Sequence, residues 1–282
     1  MLKYRPVLVA SINAGSQLYG TAHEGSDVDK IEVYLPHMVD ALLQGKFMDL
    51  IIGKRRWGDP KALLSKIQEE RETAGGSVPA LLHAGKEDTR TFSVIDIVSR
   101  AVSGHAYAIE TLYAPPEDFI EGDHDLWLKI INSVKKEEVI NEDAILSTLN
   151  YYIGCRERVC SYVTTDNGDI TGIKIKKDSW EELKIVNPKM IQNLSHSYRQ
   201  MAMLYAIHLY GTMNYKTGAL KDRTQIAYNF KRNPTDDNLE TLLKDAARLE
   251  WTLKDDIRRG KFKRYGYAAK LGIVEQVIQH IY

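Results

Sequence analysis

Apolar and polar positions follow two rhythms along the chain, and the change of rhythm divides it. "PVLVASI" (6–12) is a β-branched run stopped by Asn-Ala-Gly, and "DVDKIEVYL" (27–35) alternates residue by residue up to Pro36. Both patterns predict strands. Between them "SQLYGTA" has room for one or two helical turns capped by Ser16, and "HEGS" (23–26) reads as a loop. A third strand is expected at "EDTRTF" (87–92), followed by the helix "SVIDIVSRAVSG", where Ser93 and Asp96 stand at capping-box spacing and Gly104 ends the run. Within 37–86, "HMVDALLQG" and "DPKALLSKIQEERE" look helical, the second with Asp59 as N-cap and Pro60 at the first helical position.

Beyond about residue 120 the period-two signal fades. "DHDLWLKIINSVKKEEVI", "EDAILSTLNYYIGCRERV", "PKMIQNLSHSYRQMAMLYAIHLYG", "DDNLETLLKDAARLEWTLKDDIRRG" and "LGIVEQVIQHI" carry a helical period, and "TTDNGDITGIKIKKD" reads as a hairpin among them. The expected architecture is α+β: a small mixed β-sheet domain flanked by helices over 1–118, with an insertion at about 40–86, then a mainly α-helical domain over 119–282. The boundary falls near Pro115 and Pro116.

Composition narrows the class. Hydrophobic residues at 44% and charged residues at 27% are the profile of a soluble globular protein with core material throughout, which excludes long disorder. No apolar run approaches bilayer-spanning length, so no membrane partner is expected. "MLKYRPVLVASI" reads as a first strand and not a signal peptide. Cys155 and Cys160 lie five residues apart in an expected helix, with no histidine or further cysteine nearby, so they read as reduced structural thiols in a cytoplasm. A formal net charge of zero excludes a polyanion-binding signature for the whole protein. One segment departs from this: between Lys254 and Lys270 seven cations stand against Asp255 and Asp256.

The chemistry is concentrated near the N-terminus. Strand residues i and i+2 share a face, so Asp27 and Asp29 present two carboxylates side by side, with Val28 turned toward the core. Two like charges held that close call for a cation, and Mg²⁺ prefers a couple of carboxylates plus substrate phosphates. Gly15 lets backbone approach a phosphate, and Ser16 opens a short helix whose free N–H groups favour an anion. The order is the informative part: strand, Gly-Ser, a ten-residue spacer, then D-x-D opening a second strand.

"GSQLYGTAHEGSDVDKIEVYLP" resembles the signature of the DNA polymerase beta-like nucleotidyltransferase superfamily, and in particular the predicted bacterial and phage branch with a GS-x-x-YG…SD-x-D pattern. "GHAYAIETLYAPPE" (104–117) resembles that branch's Gly-Asn-Pro…Leu-Glu-Leu-Leu…Pro segment, with Glu110 on the glutamate. The resemblance covers about 5–36 and 87–117, and the helical half only loosely. It departs in the long 40–86 segment and in "GHA" where Asn-Pro is usual.

The resemblance implies a template-independent, metal-dependent transfer of a nucleoside monophosphate from an NTP to an acceptor hydroxyl on an RNA end, a protein or a small molecule. It implies two Mg²⁺ ions, with Mn²⁺ as a substitute, held by Asp27, Asp29 and a third carboxylate on a neighbouring strand. Asp88 is preferred for that role, with Glu87 and Asp96 as alternatives. Gly15, Ser16 and Ser26 would bind the nucleotide. The helix capped by Asn187 shows Leu194, Tyr198, Met201 and Tyr205 to the core and Lys189, Asn193, His196 and Gln200 on the opposite face, with Arg199 beside them. A solvated polar face is the plain reading, and His196 alone reads as an ordinary surface histidine. The resemblance adds that Lys189, His196 and Arg199 would reach the triphosphate. The basic 254–270 segment, interleaved with Phe262, Tyr265 and Tyr267, reads either as a solvated loop or as an RNA or tRNA contact. Two other classes stay open: a non-catalytic nucleotide-binding regulatory or antitoxin-type module, and an RNA-binding protein with a structural D-x-D.

Overall fold

The computed structural model describes residues 7–24, 26, 28–35, 87–166, 168–176, 180 and 188–281. The helices expected within 37–86 lie outside these residues. The fold is α+β, with a four-stranded mixed sheet and helices packed on it. β1 (Val7–Asn13) runs antiparallel to β2 (Val28–Leu35), and β3 (Glu87–Ser93) lies parallel to β2, giving the order β3-β2-β1-β4. A parallel neighbour needs a long crossover, which residues 36–86 supply. β4 (Phe119–Glu121) follows a 3-10 turn at Pro116–Asp118 and pairs antiparallel with β1, so the strand just past the double proline joins the same sheet.

β2 buries Ile31 and Val33, the residues two and four places after Asp29. Val28, Lys30, Glu32 and Tyr34 make up the other face, and none is fully covered. The expectation that Val28 turns into the core is therefore overturned. Helices pack on the Asp29 face, and Asp29 stands near the start of the strand, ahead of its buried stretch.

α2 (Val94–Val102) buries six apolar side chains against the sheet, and its N-terminus is capped by Ser93, whose hydroxyl accepts the Asp96 N–H at 3.0 Å. α3 (Ala106–Leu112) follows. The remaining helices are α4 (His124–Ser133), α5 (Lys136–Val139), α6 (Glu142–Val159), α7 (Pro188–Tyr210), α8 (Gly218–Arg232), α9 (Asp236–Arg258) and α10 (Tyr267–Ile281). A hairpin of β5 (Cys160–Thr164) and β6 (Ile170–Ile175) stands between α6 and α7. Its first strand starts at Cys160, so the two cysteines do not share a helix as expected; both are buried and unbridged.

α8 has no counterpart in the expected elements. Its buried positions are Leu220, Thr224, Ala227 and Phe230, only three of them apolar, which leaves little helical period to see. α8 forms because its narrow stripe packs against α7 and α9. One continuous apolar core runs from β1, through α2 and α6, into α7 and α9.

Candidate functional site

The Gly-Ser turn and the D-x-D strand meet at one point. α1 (Gly15–Leu18) begins at Gly15, with Ala14 as its N-cap, so Ser16 lies inside the first turn and does not cap it as expected. The Ala14 N–H donates to the Asp29 carbonyl at 2.9 Å, tying the start of α1 to the start of β2. Gly15 has φ +53°, and a Cβ there would fall 1.9 Å from Asp29 Oδ2. Glycine is required twice over: for the left-handed backbone and for the carboxylate lying directly above it. The spacing between the two motifs thus brings a carboxylate onto the helix-opening glycine.

β3 extends this edge of the sheet. Asp88 is the register partner of Asp29 across the parallel β2–β3 pair, while Glu87 stands opposite Val28. Adjacent strands lie about 4.8 Å apart, so these two carboxylate-bearing positions are neighbours in one row of the ladder. Glu87 belongs to the other row. Asp96 is on α2, where its carboxylate accepts from Arg100 Nε at 2.8 Å. Asp27 lies outside the described residues. Among the described residues no group of three His, Cys, Asp or Glu side chains gathers to hold a metal. Asp29 and the Asp88 position supply hard oxygen donors that suit Mg²⁺. Ser26 closes a turn: its N–H donates to the His23 carbonyl at 2.9 Å, and its hydroxyl accepts the His23 N–H at 2.9 Å.

α7 reaches this region through Arg199. Its guanidinium carbon sits 3.4 Å from the centre of the Tyr19 ring, in the Tyr-Gly that follows α1. Glu110 is the hub beneath it. This buried carboxylate accepts from Tyr19 Oη at 3.0 Å and from Tyr215 Oη at 2.7 Å, and both phenols are pushed well above their ordinary range, chiefly by burial. Both therefore stay protonated and donate. Tyr215, 105 residues from Glu110, carries no local sequence signal; the resemblance pointed to Glu110 but not to its partners.

The expected solvated face of α7 is overturned for three of its four members: Gln200 is buried, and Asn193 and His196 are half-buried. Arg199 Nη2 donates to His196 Nδ1 at 2.7 Å, and the Gln200 side-chain amide lies 2.8 Å from His196 Nε2. Burial, followed by the charges of Arg199, Lys231 and Arg90, pushes the His196 pKa down to about 4. A neutral imidazole thus stands among three cations, one of which, Arg90, sits two residues along β3 from Asp88. Lys189 is exposed in the first turn of α7, about 10 Å along the axis from His196, and is not part of this group.

The 254–270 segment is built differently. Lys254 pairs with Glu250 at 2.5 Å, Arg259 with Asp255 at 2.7 Å and Lys261 with Asp256 at 2.6 Å. Lys263 reaches Glu137 at 3.3 Å, and the buried Lys270 reaches Asp143 at 2.6 Å. Phe262 is buried against His208, with ring centres 4.5 Å apart, so it does not offer a face to a base.

Compared with known proteins, the chain matches no family model, no curated protein and no solved structure. No helix among the described residues is long and apolar enough to cross a membrane.

Proposed function

We propose that the protein is a nucleotidyltransferase that moves a nucleoside monophosphate from an NTP to an acceptor hydroxyl. The observation that carries this reading is the meeting of Gly15, Asp29 and the Asp88 position at one sheet edge, in the order the superfamily signature requires. In this reading the acceptor oxygen bonds to the α-phosphorus, the bond from that phosphorus to the bridging oxygen breaks, and pyrophosphate leaves. The acceptor proton passes to a nearby carboxylate or to solvent. Gly15 and Ser16 receive the phosphates at the start of α1, while Arg199, Arg90 and Lys231 supply positive charge from α7, β3 and α8. Asp27, Asp29 and Asp88 would hold Mg²⁺, which when bound neutralises charge growing on the α-phosphate.

The test is incubation with Mg²⁺, each α-labelled NTP and fractionated cell extract, scored by label taken into an acceptor fraction. Asp29→Asn should remove that uptake. Transfer by Asp29→Asn at the wild-type rate would sink the reading.

A further inference from the structure

Three consecutive residues between α7 and α8 each meet a carboxylate. Asn214 Nδ2 donates to Glu117 Oε1 at 3.1 Å, Tyr215 Oη to Glu110 Oε1 at 2.7 Å and Lys216 Nζ to Asp118 Oδ1 at 2.6 Å. The Asn214 side chain also accepts the Lys216 N–H at 2.8 Å, which sets the direction in which Lys216 leaves the chain. Glu110 and Asp118 are buried, and the transfer chemistry uses neither.

These contacts converge on both ends of α1. Phe119 pairs with Ile12, so Asp118 stands beside Asn13, and Asp118 Oδ1 accepts Asn13 Nδ2 at 3.1 Å. Asn13 ends β1, two residues ahead of Gly15. Past the other end of α1, Tyr19 shares Glu110 with Tyr215. Gly20 lies against the Lys216 stem, where a Cβ would sit 3.2 Å from Lys216 Cγ. Lys216 therefore meets the exit of α1 with its carbon stem and the entrance, through Asp118 and Asn13, with its ammonium. A helix of four residues gains little from its own hydrogen bonds, so its place has to come from such contacts.

Asp118 has no exposed surface, and its Oδ2 finds no hydrogen-bond partner among the described residues. A buried carboxylate needs a matched cation, and Lys216 is the one paired with it among the described residues. The half-buried Lys216 lies on the wall of a pocket of about 250 Å³ that runs on to Lys221, Thr224 and Gln225 of α8, so a shorter side chain there meets no obstruction.

We propose that Asp118 and Lys216 are positioning residues that together hold the Gly15 turn beneath Asp29. The role rests on the transfer reading above, in which nucleotide and Asp29 meet at Gly15. A turn already in place binds without the cost of ordering it. Lys216 acts through Asp118 and Asn13 and does not touch the nucleotide.

Asp118→Asn tests this, because it keeps the size of the side chain and leaves Lys216 its charge. Hydrogen exchange of the full chain without nucleotide should become faster over residues 13–20 and stay unchanged over α6. In label transfer well below the melting temperature, KM for the NTP should rise about tenfold while kcat falls less, because binding then has to order the turn. Lys216→Met alone leaves a buried charge unmatched, so the second variant is Asp118→Asn combined with Lys216→Met, which should fold and show the same rise. Wild-type exchange over 13–20 in Asp118→Asn overturns the inference. So does a KM that stays level or falls in that variant, the outcome expected if the freed Lys216 binds phosphate itself. Exchange that responds to Asp118→Asn in a protein that labels no extract fraction would sink the transfer reading and leave the hold on α1 standing.

Discussion

Two concentrations of positive charge in this molecule are built in opposite ways. In the 254–270 segment, where the sequence is most basic, six of the seven cations are matched to carboxylates on α5, α6 and α9, and Phe262 is drawn into the core. Around His196 the sequence looks unremarkable, yet Arg199, Arg90 and Lys231 converge there from α7, β3 and α8 and add to the burial that depresses the pKa of the imidazole between them. A run of like charge in sequence is a poor guide to function, because the fold can neutralise it locally. Charge gathered from distant segments is the more informative kind, since holding it together costs energy that a ligand can offset.

The largest expected effect tests whether the His196 group faces a working site. Asp29→Asn and Asp88→Asn should each lower label transfer by at least about a hundredfold, as loss of a charge that acts on the transition state does. The apo melting temperature of Asp88→Asn should stay level or rise, because a like charge is removed. Gly15→Ala should also lower transfer, since its Cβ would collide with the Asp29 carboxylate. An active Asp29→Asn enzyme would leave the cations around His196 with no established purpose.

Next in size is the buried network. Glu110→Gln keeps the volume but leaves the Arg199 guanidinium beside Tyr19 without its counter-charge. Disturbing a buried, hydrogen-bonded carboxylate typically costs about 1–3 kcal/mol, so urea unfolding should show a loss of that order. A loss below about 1 kcal/mol would mean that water reaches Arg199 and that the two charged regions are less different than the geometry says.

The pH dependence of stability distinguishes the same regions. The pKa of His196 is about 4 in the folded chain, against about 6.5 when unfolded. Between those values the unfolded chain takes up the proton and the folded chain does not, so stability is highest above about pH 6.5 and falls as pH drops toward 4. Melting curves of the wild type and His196→Gln should run parallel above pH 6.5, with the variant losing less below it. Identical acid slopes would place the His196 pKa near its ordinary value.

The strands and most helices were legible because each buries a face with its own period. β1, β2 and β3, the full span of α6, and the long α7 and α9 follow from local pattern alone. The Gly-Ser to D-x-D spacing was legible as a motif, but its physical reason, the Asp29 carboxylate over Gly15, was not. α8 was missed because Lys221, Thr224, Gln225 and Lys231 leave it a narrow apolar stripe, and these same residues line the pocket or face His196. Tyr215 and Asp118 meet their partners across about a hundred residues, and no local window contains such a pair. The polar face of α7 misled for a related reason: periodicity tells which residues share a face, and only packing tells whether that face is wet.

The smallest expected effect belongs to the matched segment. Arg259 and Lys263 are more than half exposed and pair with Asp255 and Glu137, so solvent screens both attractions. Exposed pairs contribute about 0.2–1 kcal/mol, and Arg259→Gln and Lys263→Gln should each lower stability by no more than that. If their charges are spent within the fold, the double variant should also leave retention of a short RNA, and its dependence on salt, unchanged. A cation that neutralises a phosphate contributes about one unit to the slope of log affinity against log salt, somewhat less on a single strand. A fall of one to two units in that slope for the double variant would show that these cations leave their carboxylates for phosphates when RNA arrives, and the contrast between the two regions would collapse.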